Sequence, residues 1–369
     1  MTKAKPKSSP LWKDWVDDDM VNRIAQVFSR AYSKFDKTRF IRELTSRGFF
    51  DLNLKDRINR ISETLGRFLP NDYPKAVGIL LKAAPQLGEF ENWALTGYVE
   101  RFGQGRFGES MRALKALTPY GTGEFAIRSF IIKQPIPMLE VMSGWADDPN
   151  EHVRRLAAEG SRPRGVWTAH IEAFKKDPRP VLKLLEKLKA DSSLYVRKAV
   201  ANNLNDISKE NPDIVIKWAE RWLADNNPHT NWIVKRGCRT LVKNGDPRVF
   251  GLLGFTVRPK IDLVRFGLTP KRIEIGSALS LGLHLRSTAA KHQKLAIDYR
   301  ISYTRPADRT SMKLFKWSEK ILPSQDSLKL ETVRSFADQN TRRHYPGRHR
   351  VELIINGVVW AATDFHVFA

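Results

Sequence analysis

Asp148-Pro-Asn-Glu-His-Val153-Arg154-Arg155-Leu-Ala-Ala158 and Asp191-Ser-Ser-Leu-Tyr-Val196-Arg197-Lys198-Ala-Val-Ala201 are two copies of one pattern, 43 residues apart. A looser copy is Asn231-Trp-Ile-Val234-Lys235-Arg236, and a shorter one is Phe125-Ala-Ile127-Arg128. An Asp-led turn followed by Val-Arg at such a period is the mark of HEAT-type repeats. Each unit is a helix pair that cannot bury its apolar face alone, so neighbours stack into a curved solenoid with a concave face. Chance similarity between amphipathic helices is the competing account of the repeat.

Outward from these copies, the chain from Leu11 to about Phe250 keeps helical spacing. Segments such as VNRIAQVFSRAY (21–32), LKDRINRISETLGRFL (54–69) and YPKAVGILLKAAP (73–85) carry apolar residues at i, i+3 and i+4 between short Gly, Pro, Asn and Asp breaks. After Asp246-Pro247 the period changes to two. RIEIGSALSLGLHLRS, QKLAIDYRISYTR, SMKLFKWSEKIL, DSLKLETVRSF, HRVELIING and VVWAATDFHVF alternate as antiparallel strands do. Asn356-Gly357 between two alternating runs is a hairpin turn. Seven or eight such strands suit an immunoglobulin-like (Ig-like) sandwich, although the Cys…Trp…Cys core of true immunoglobulin domains is missing. The expected architecture is an α-α superhelix, a HEAT-like repeat solenoid, followed by an Ig-like antiparallel β-sandwich. The expected divisions are a flexible basic arm (1–10), a helical domain (11–252) and a sandwich (256–369).

Composition bounds the function. The chain has 369 residues and a formal charge of +23, dispersed along its length, which points to a polyanionic partner and most directly to nucleic acid. Cys238 is the only cysteine, so disulfides and cysteine-based zinc sites are excluded and a reducing, intracellular home is expected. The N-terminal MTKAKPKSSPL has no apolar core of the secretory kind, and no apolar run is long enough to span a membrane. The eight histidines are scattered, and His344 with His349 fall in an Arg-rich stretch better suited to phosphates than to zinc. Neither a GxxxxGK[ST] loop nor a GxSxG elbow is present. No metal and no cofactor are expected.

The densest chemistry lies in EHVRRLAAEGSRPRGVW (151–167). Val153, Leu156, Ala157 and Gly160 form the packed stripe of a helix, while Arg155, Glu159 and Arg162 form a second, charged stripe. The helix should end at Ser161-Arg162, because a residue before proline is pushed out of the α region. On spacing alone this stripe fits a solvated helix face as well as a functional one. Four arginines (Arg154, Arg155, Arg162, Arg164), one carboxylate and Trp167 at a helix end suit a surface that grips phosphates and presents an anion. Glu124, beside Phe125, follows the Gly-rich turn 120–123 and opens a helix, as a cap or as a functional acid. Asp206 sits late in the second clear repeat, where a local turn is its plain role. Arg101-Phe-Gly-Gln-Gly-Arg106-Phe-Gly108 reads either as a Gly-rich inter-helix turn or as a segment that inserts beside DNA. In the sandwich, Arg342, Arg343 and Arg348 mark a basic loop, and Arg305 and Arg309 another turn.

The run 151–167, with YGTGEFAIR (120–128) upstream and NNLNDISKENP (202–212) downstream, resembles the AlkC family of HEAT-like-repeat DNA glycosylases, relatives of AlkD. The resemblance spans essentially the whole chain, because AlkC proteins of this layout add an Ig-like domain to the helical array. It implies a bacterial, cytoplasmic, nucleoid-associated enzyme, monomeric, acting on alkylated double-stranded DNA. It implies excision of cationic N-alkylated bases, 3-methyladenine and 3-methylcytosine, without a deep pocket for a flipped base. By the same resemblance Glu159 is the catalytic carboxylate, and Glu124 and Asp206 are further acids at the lesion. Arg155 and Arg162 hold the acids and the DNA backbone, and Trp167 is an aromatic wall. Arg155 and Arg162 are then expected to lower the pKa values of the acids, and the Ig-like domain to clamp the duplex from the other side. A non-catalytic HEAT-plus-Ig scaffold for nucleic acid or an acidic protein is the rival reading. Against it, a pure DNA binder gains nothing from three acids facing phosphates.

Overall fold

The computed structural model describes residues 12–46, 48–307, 309–338 and 343–369. The expected arm (1–10) and Arg342 lie outside the described residues. Helices run from Asp18–Ala31 to Pro247–Leu252, and strands from Ile261 to Phe368. No described helix is long and apolar enough to cross a membrane.

Packing divides the chain into two compact units: residues up to Asn211 with Asp225–Gly237, and Pro212–Ala224 with Cys238–Ala369. The helix-to-strand switch lies between Leu252 and Ile261, but the packing boundary lies elsewhere. The helices Pro212–Leu223, Arg239–Lys243 and Pro247–Leu252 belong to the unit that contains the sandwich.

In the first unit the repeat has a physical basis. Val153, Val196, Val234 and Ile127 occupy the same repeat position and are all buried. Asn150 and Ser193 cap their helices through side-chain oxygens that accept from His152 N and Tyr195 N. Arg154 Nη1 then donates to the carbonyls of Asp148 and Pro149, both at 2.9 Å. Arg197 Nη1 does the same to Asp191 (2.8 Å) and Ser192 (2.7 Å). The Val-Arg pair is therefore one hydrophobic anchor and one clamp on the preceding turn. The Glu151–Gly160 helix packs on Leu194–Ile207, and that helix packs on Pro228–Gly237. Gly160 permits a close approach: a Cβ there would fall 2.0 Å from Cδ1 of Ile127.

In the second unit eight strands form two sheets: β1 (Ile261–Thr269), β2 (Arg272–Glu274), β3 (Ala278–Ser287), β4 (Gln293–Thr304), β5 (Thr310–Leu322), β6 (Ser327–Ser335), β7 (Gly347–Ile355) and β8 (Val358–Phe368). One sheet has the order β1-β3-β6 and the other β2-β8-β7-β4-β5. The expected all-antiparallel pairing is corrected at one edge, where the short β2 runs parallel to β8. Leu281, Leu283 and Leu285 of β3 face Tyr299, Ile301 and Leu353 across the core. Asn356 (φ 48°) and Gly357 (φ 82°) make the β7–β8 turn, in the left-handed region where Asn and Gly are favoured. The Asn356 side chain also accepts from Ala296 N (2.6 Å) and donates to Thr256 O (2.7 Å), tying the turn to β4.

His344 and His349 do not face phosphates. Both are buried among sandwich aromatics, His344 against Phe336 (4.7 Å between centroids) and His349 stacked on Phe365 (5.3 Å). Burial lowers the pKa of His349.

Candidate active site

Three acids from three chain segments meet in the first unit, joined by arginines. Glu159 occupies the last turn of the Glu151–Gly160 helix, and Asp206 the end of the Leu194–Ile207 helix. Glu124 lies in the turn before the Ile127–Lys133 helix rather than opening it, since helical geometry begins only at Ile127. Thr122 holds that turn: its hydroxyl accepts from Glu124 N (3.2 Å) and donates to Glu124 Oε2 (3.1 Å).

Arg155 pairs with Glu124 Oε2, and its Nη2 stands 3.9 Å from Glu159 Oε2. Arg162 pairs with Glu159 Oε1 through Nη1 and with Asp206 Oδ2 through Nε at 2.7 Å. Lys209 Nζ closes the chain on Asp206 Oδ1 at 2.9 Å. Charges thus alternate along Glu124, Arg155, Glu159, Arg162, Asp206 and Lys209. Asp206 and Arg162 are buried, while Glu159 and Glu124 keep 12% and 19% of their side-chain surface open to solvent. The 155/159/162 stripe is therefore not a solvated helix face, which would be open; this one is mostly enclosed. Arg155 also lies over the ring of Tyr195 (5.1 Å).

The expected lowering of the acids' pKa values is corrected at Glu124. Burial is the largest influence and pushes its carboxyl above the ordinary range; Arg155 and Thr122 oppose this, and the charge of Glu159 adds to it.

The other expected residues fall into three groups. Arg164 is next to the cluster but pairs with Glu210, with 2.8 Å from its Nε. Trp167 stands in the following loop with φ 59°, 55% exposed, its ring edge-on to Trp12 (5.8 Å) and its carbonyl accepting from Lys55 Nζ (3.0 Å). Phe125 stacks on the buried Trp93 at 4.5 Å. Arg154 does not join the acids, because Asp191 takes its Nε at 2.7 Å and turn carbonyls take its Nη1. Arg101 pairs with Glu63 (3.0 Å) and Arg106 stands 3.9 Å from Glu109, on either side of a glycine turn. That turn is structural: a Cβ on Gly103 would meet Ser110, Tyr73 and a backbone carbonyl within 2.6 Å. Arg348 lies inside β7, paired with Asp364 at 2.5 Å, and is not part of a loop. The carbonyl of Arg343 accepts from Arg305 Nη1 at 3.0 Å, and its side chain is exposed.

Four residues escaped the sequence reading. Thr122 and Lys209 lie two residues before Glu124 and three after Asp206, spacings that could have flagged them. Arg128 donates to carbonyls of 160–169. Tyr195 carried no signal. In the sandwich, register sets Arg265 opposite His284 and His284 opposite Lys329, a row across β1, β3 and β6. The side chains of these three have no ion-pair or hydrogen-bond partner among the described residues. The next row is Gly267 opposite Gly282, which floors a groove of about 360 Å³ on that face. The described residues hold no group of three His, Cys, Asp or Glu side chains arranged to bind a metal.

A helical-repeat unit, a mostly enclosed acid–arginine chain and an Ig-like sandwich define a protein of the HEAT-like-repeat class. Residues 125–241 match the family of DNA alkylation repair enzymes, and residues 262–369 match the C-terminal Ig-like domain of the uncharacterised protein YhaZ. YhaZ of Bacillus subtilis strain 168 is 39% identical over 355 residues, covering 96% of this chain and 99% of its own. The Pseudomonas fluorescens alkylpurine DNA glycosylase AlkC, solved bound to DNA containing an abasic site analog, superposes with a TM-score of 0.93 at 38% identity, over 98% of this chain and 100% of that one. The chain belongs to the AlkC family of DNA alkylation repair proteins, with its C-terminal Ig-like domain.

Proposed function

We propose that this chain is a monofunctional DNA glycosylase that excises the cationic bases 3-methyladenine and 3-methylcytosine from duplex DNA. The observation that carries this reading is the mostly enclosed alternation of three carboxylates with arginines, centred on Glu159 between Arg155 and Arg162. An alkylated cationic base is already a good leaving group. When the bond from C1′ to the base nitrogen breaks, its electron pair goes to the base, which departs neutral. The positive charge then grows on the deoxyribose. A carboxylate in a partly dehydrated site stabilises that oxocarbenium-like sugar and orients the water whose oxygen bonds to C1′. The water gives up its proton to the carboxylate, and an abasic site remains.

The acids select for charge as well as rate, since they attract a cationic base and not a neutral one. Arg155 and Arg162 shield them from the flanking phosphates. Most of the affinity comes from counterion release onto the basic surface. The Ig-like unit adds backbone contacts, for which Arg265, His284 and Lys329 are better placed than the paired Arg348. The protein acts as a monomer in the bacterial cytoplasm, on the nucleoid.

The test is base release from methylated duplex DNA by wild type and Glu159→Gln. Release of both bases, slowed at least about tenfold in the variant while DNA binding persists, is the expected result. Wild type that binds the duplex and frees no base would leave the scaffold reading standing.

A further inference from the structure

Arg128 stands at the repeat position filled elsewhere by Arg154 and Arg197, yet its side chain does something different. Arg154 and Arg197 each reach back five and six residues through Nη1, to the turn before their own helix, and Arg154 also pairs forward with the Asp191 carboxylate. Arg128 turns its whole guanidinium forward, onto backbone carbonyls of the next repeat. Its Nη1 donates to the carbonyls of Gly160 (3.2 Å) and Arg162 (2.8 Å), and its Nε and Nη2 donate to Ala169 (3.1 and 2.6 Å). It is 4% exposed. The carbonyls it takes bracket the end of the helix that carries Glu159 and the loop that carries Arg162 and Trp167. Helix-terminal carbonyls carry partial negative charge, so a buried guanidinium can be satisfied there without a carboxylate.

The loop is shaped around it. A Cβ on Gly165 would lie 2.4 Å from Thr168 Oγ1 in the same loop and 2.9 Å from both Cζ and Nη1 of Arg128. Burial lowers the Arg128 pKa to about 10, the charge of Arg162 adds to this, and Asp206, Glu124 and Glu159 oppose it. The guanidinium thus feels all three acids while pairing with none of them.

We propose that Arg128 is a positioning residue: it clips Gly160, Arg162 and Ala169 together and so sets where Glu159 and Arg162 stand. Lysine cannot replace it, because one ammonium cannot span three carbonyls as a planar fork does. The activity readout rests on the glycosylase reading, so a second readout does not.

The variants are Arg128→Lys, Arg128→Ala and Gly165→Ala, with single-turnover base release and DNA affinity measured on the folded fraction. Displacing the acids by about an ångström predicts a loss near 100-fold in the rate, with affinity for undamaged duplex unchanged. Added guanidinium ion restores rate to Arg128→Ala and leaves Arg128→Lys slow. Wild-type rates in Arg128→Lys and Gly165→Ala, or losses that match the fraction unfolded, overturn the proposal. The independent readout is the NMR resonance of the Arg162 Nε–H, which bonds Asp206. It shifts in Arg128→Lys if the clip sets its geometry, and an unmoved resonance overturns the proposal even if wild type releases no base.

Discussion

Arg162→Met tests whether the acid–arginine chain behaves as one coupled unit. Methionine keeps the length of the side chain and removes the charge. Arg162 is buried, and among the described residues it is the one group bridging Glu159 and Asp206. Without it Asp206, only 3% exposed, keeps Lys209 at 2.9 Å, and Glu159 keeps Arg155 at 3.9 Å. Removing one partner of a buried pair costs about 3–5 kcal/mol, because the other charge is left short of its compensation. Each kcal/mol moves the melting point of a unit this size by about 2–4 °C, so the expected fall is roughly 6–20 °C. The assay is calorimetric melting at neutral pH of wild type, Arg162→Met, Asp206→Asn and the double variant. The double variant is expected to melt above Arg162→Met, because a neutral pair leaves no orphaned charge at position 206, the more deeply buried of the two acids that Arg162 serves. Arg162→Met melting within about 2 °C of wild type would refute the coupling. A double variant as unstable as the single would assign the loss to packing.

Glu124 gives a pH prediction with a definite sign. Its folded pKa is raised above 4.5, so the fold holds this proton more tightly than the unfolded chain does, and the stability it contributes is present at low pH and lost as pH rises through the raised value. Base release, which needs the ionised form, is expected to fall as pH drops through that same value, and Glu124→Gln to lose that limb; an identical limb in the variant removes Glu124 from the chemistry. Arg265→Ala/Lys329→Ala is expected to lower the salt slope of DNA binding by about 2, with melting unchanged. An unaltered slope in fluorescence anisotropy would take that row out of the interface. Gly160→Ala drives a Cβ to 2.0 Å from Ile127 Cδ1 and is expected to cost about 1–3 kcal/mol in urea unfolding. Ile127→Val, which removes that methyl, should recover most of the loss, and no recovery would place the strain elsewhere.

Much of the site was legible, because its ingredients are local. Arg155 and Glu159 share one face of one helix, Arg162 follows two residues after its last turn, and the proline at 163 keeps the helix from running on. What could not be read was which arginine serves which acid. Arg154 and Arg155 are neighbours of the same type, yet one clamps Asp191 and its own turn and the other meets Glu124. Rotation of 100° along a helix separates them, and only the packed neighbours decide what each direction contains. The Arg-rich segments at 101–106 and 342–350 show the same limit. Arg101 and Arg348 have acids across a helix or a strand that no linear pattern displays.

Period, punctuation and composition by themselves determined the succession of helices, the change to strands near residue 256, the Asn356-Gly357 turn and the excess of positive charge. Each of these depends on residues within a few positions of one another or on the sum of charges, and both are written in the chain. The tertiary structure alone decided the rest. It assigned three helices before Leu252 to the unit of the sandwich, ran β2 parallel to β8, and turned His344 and His349 into the core. It also buried Glu124, so that desolvation outweighs its arginine, and sent Arg128 forward 32 to 41 residues to hold the loop beyond Glu159. Burial and long-range pairing depend on which surfaces meet, and that is settled by the sum of many contacts rather than by any one stretch of sequence.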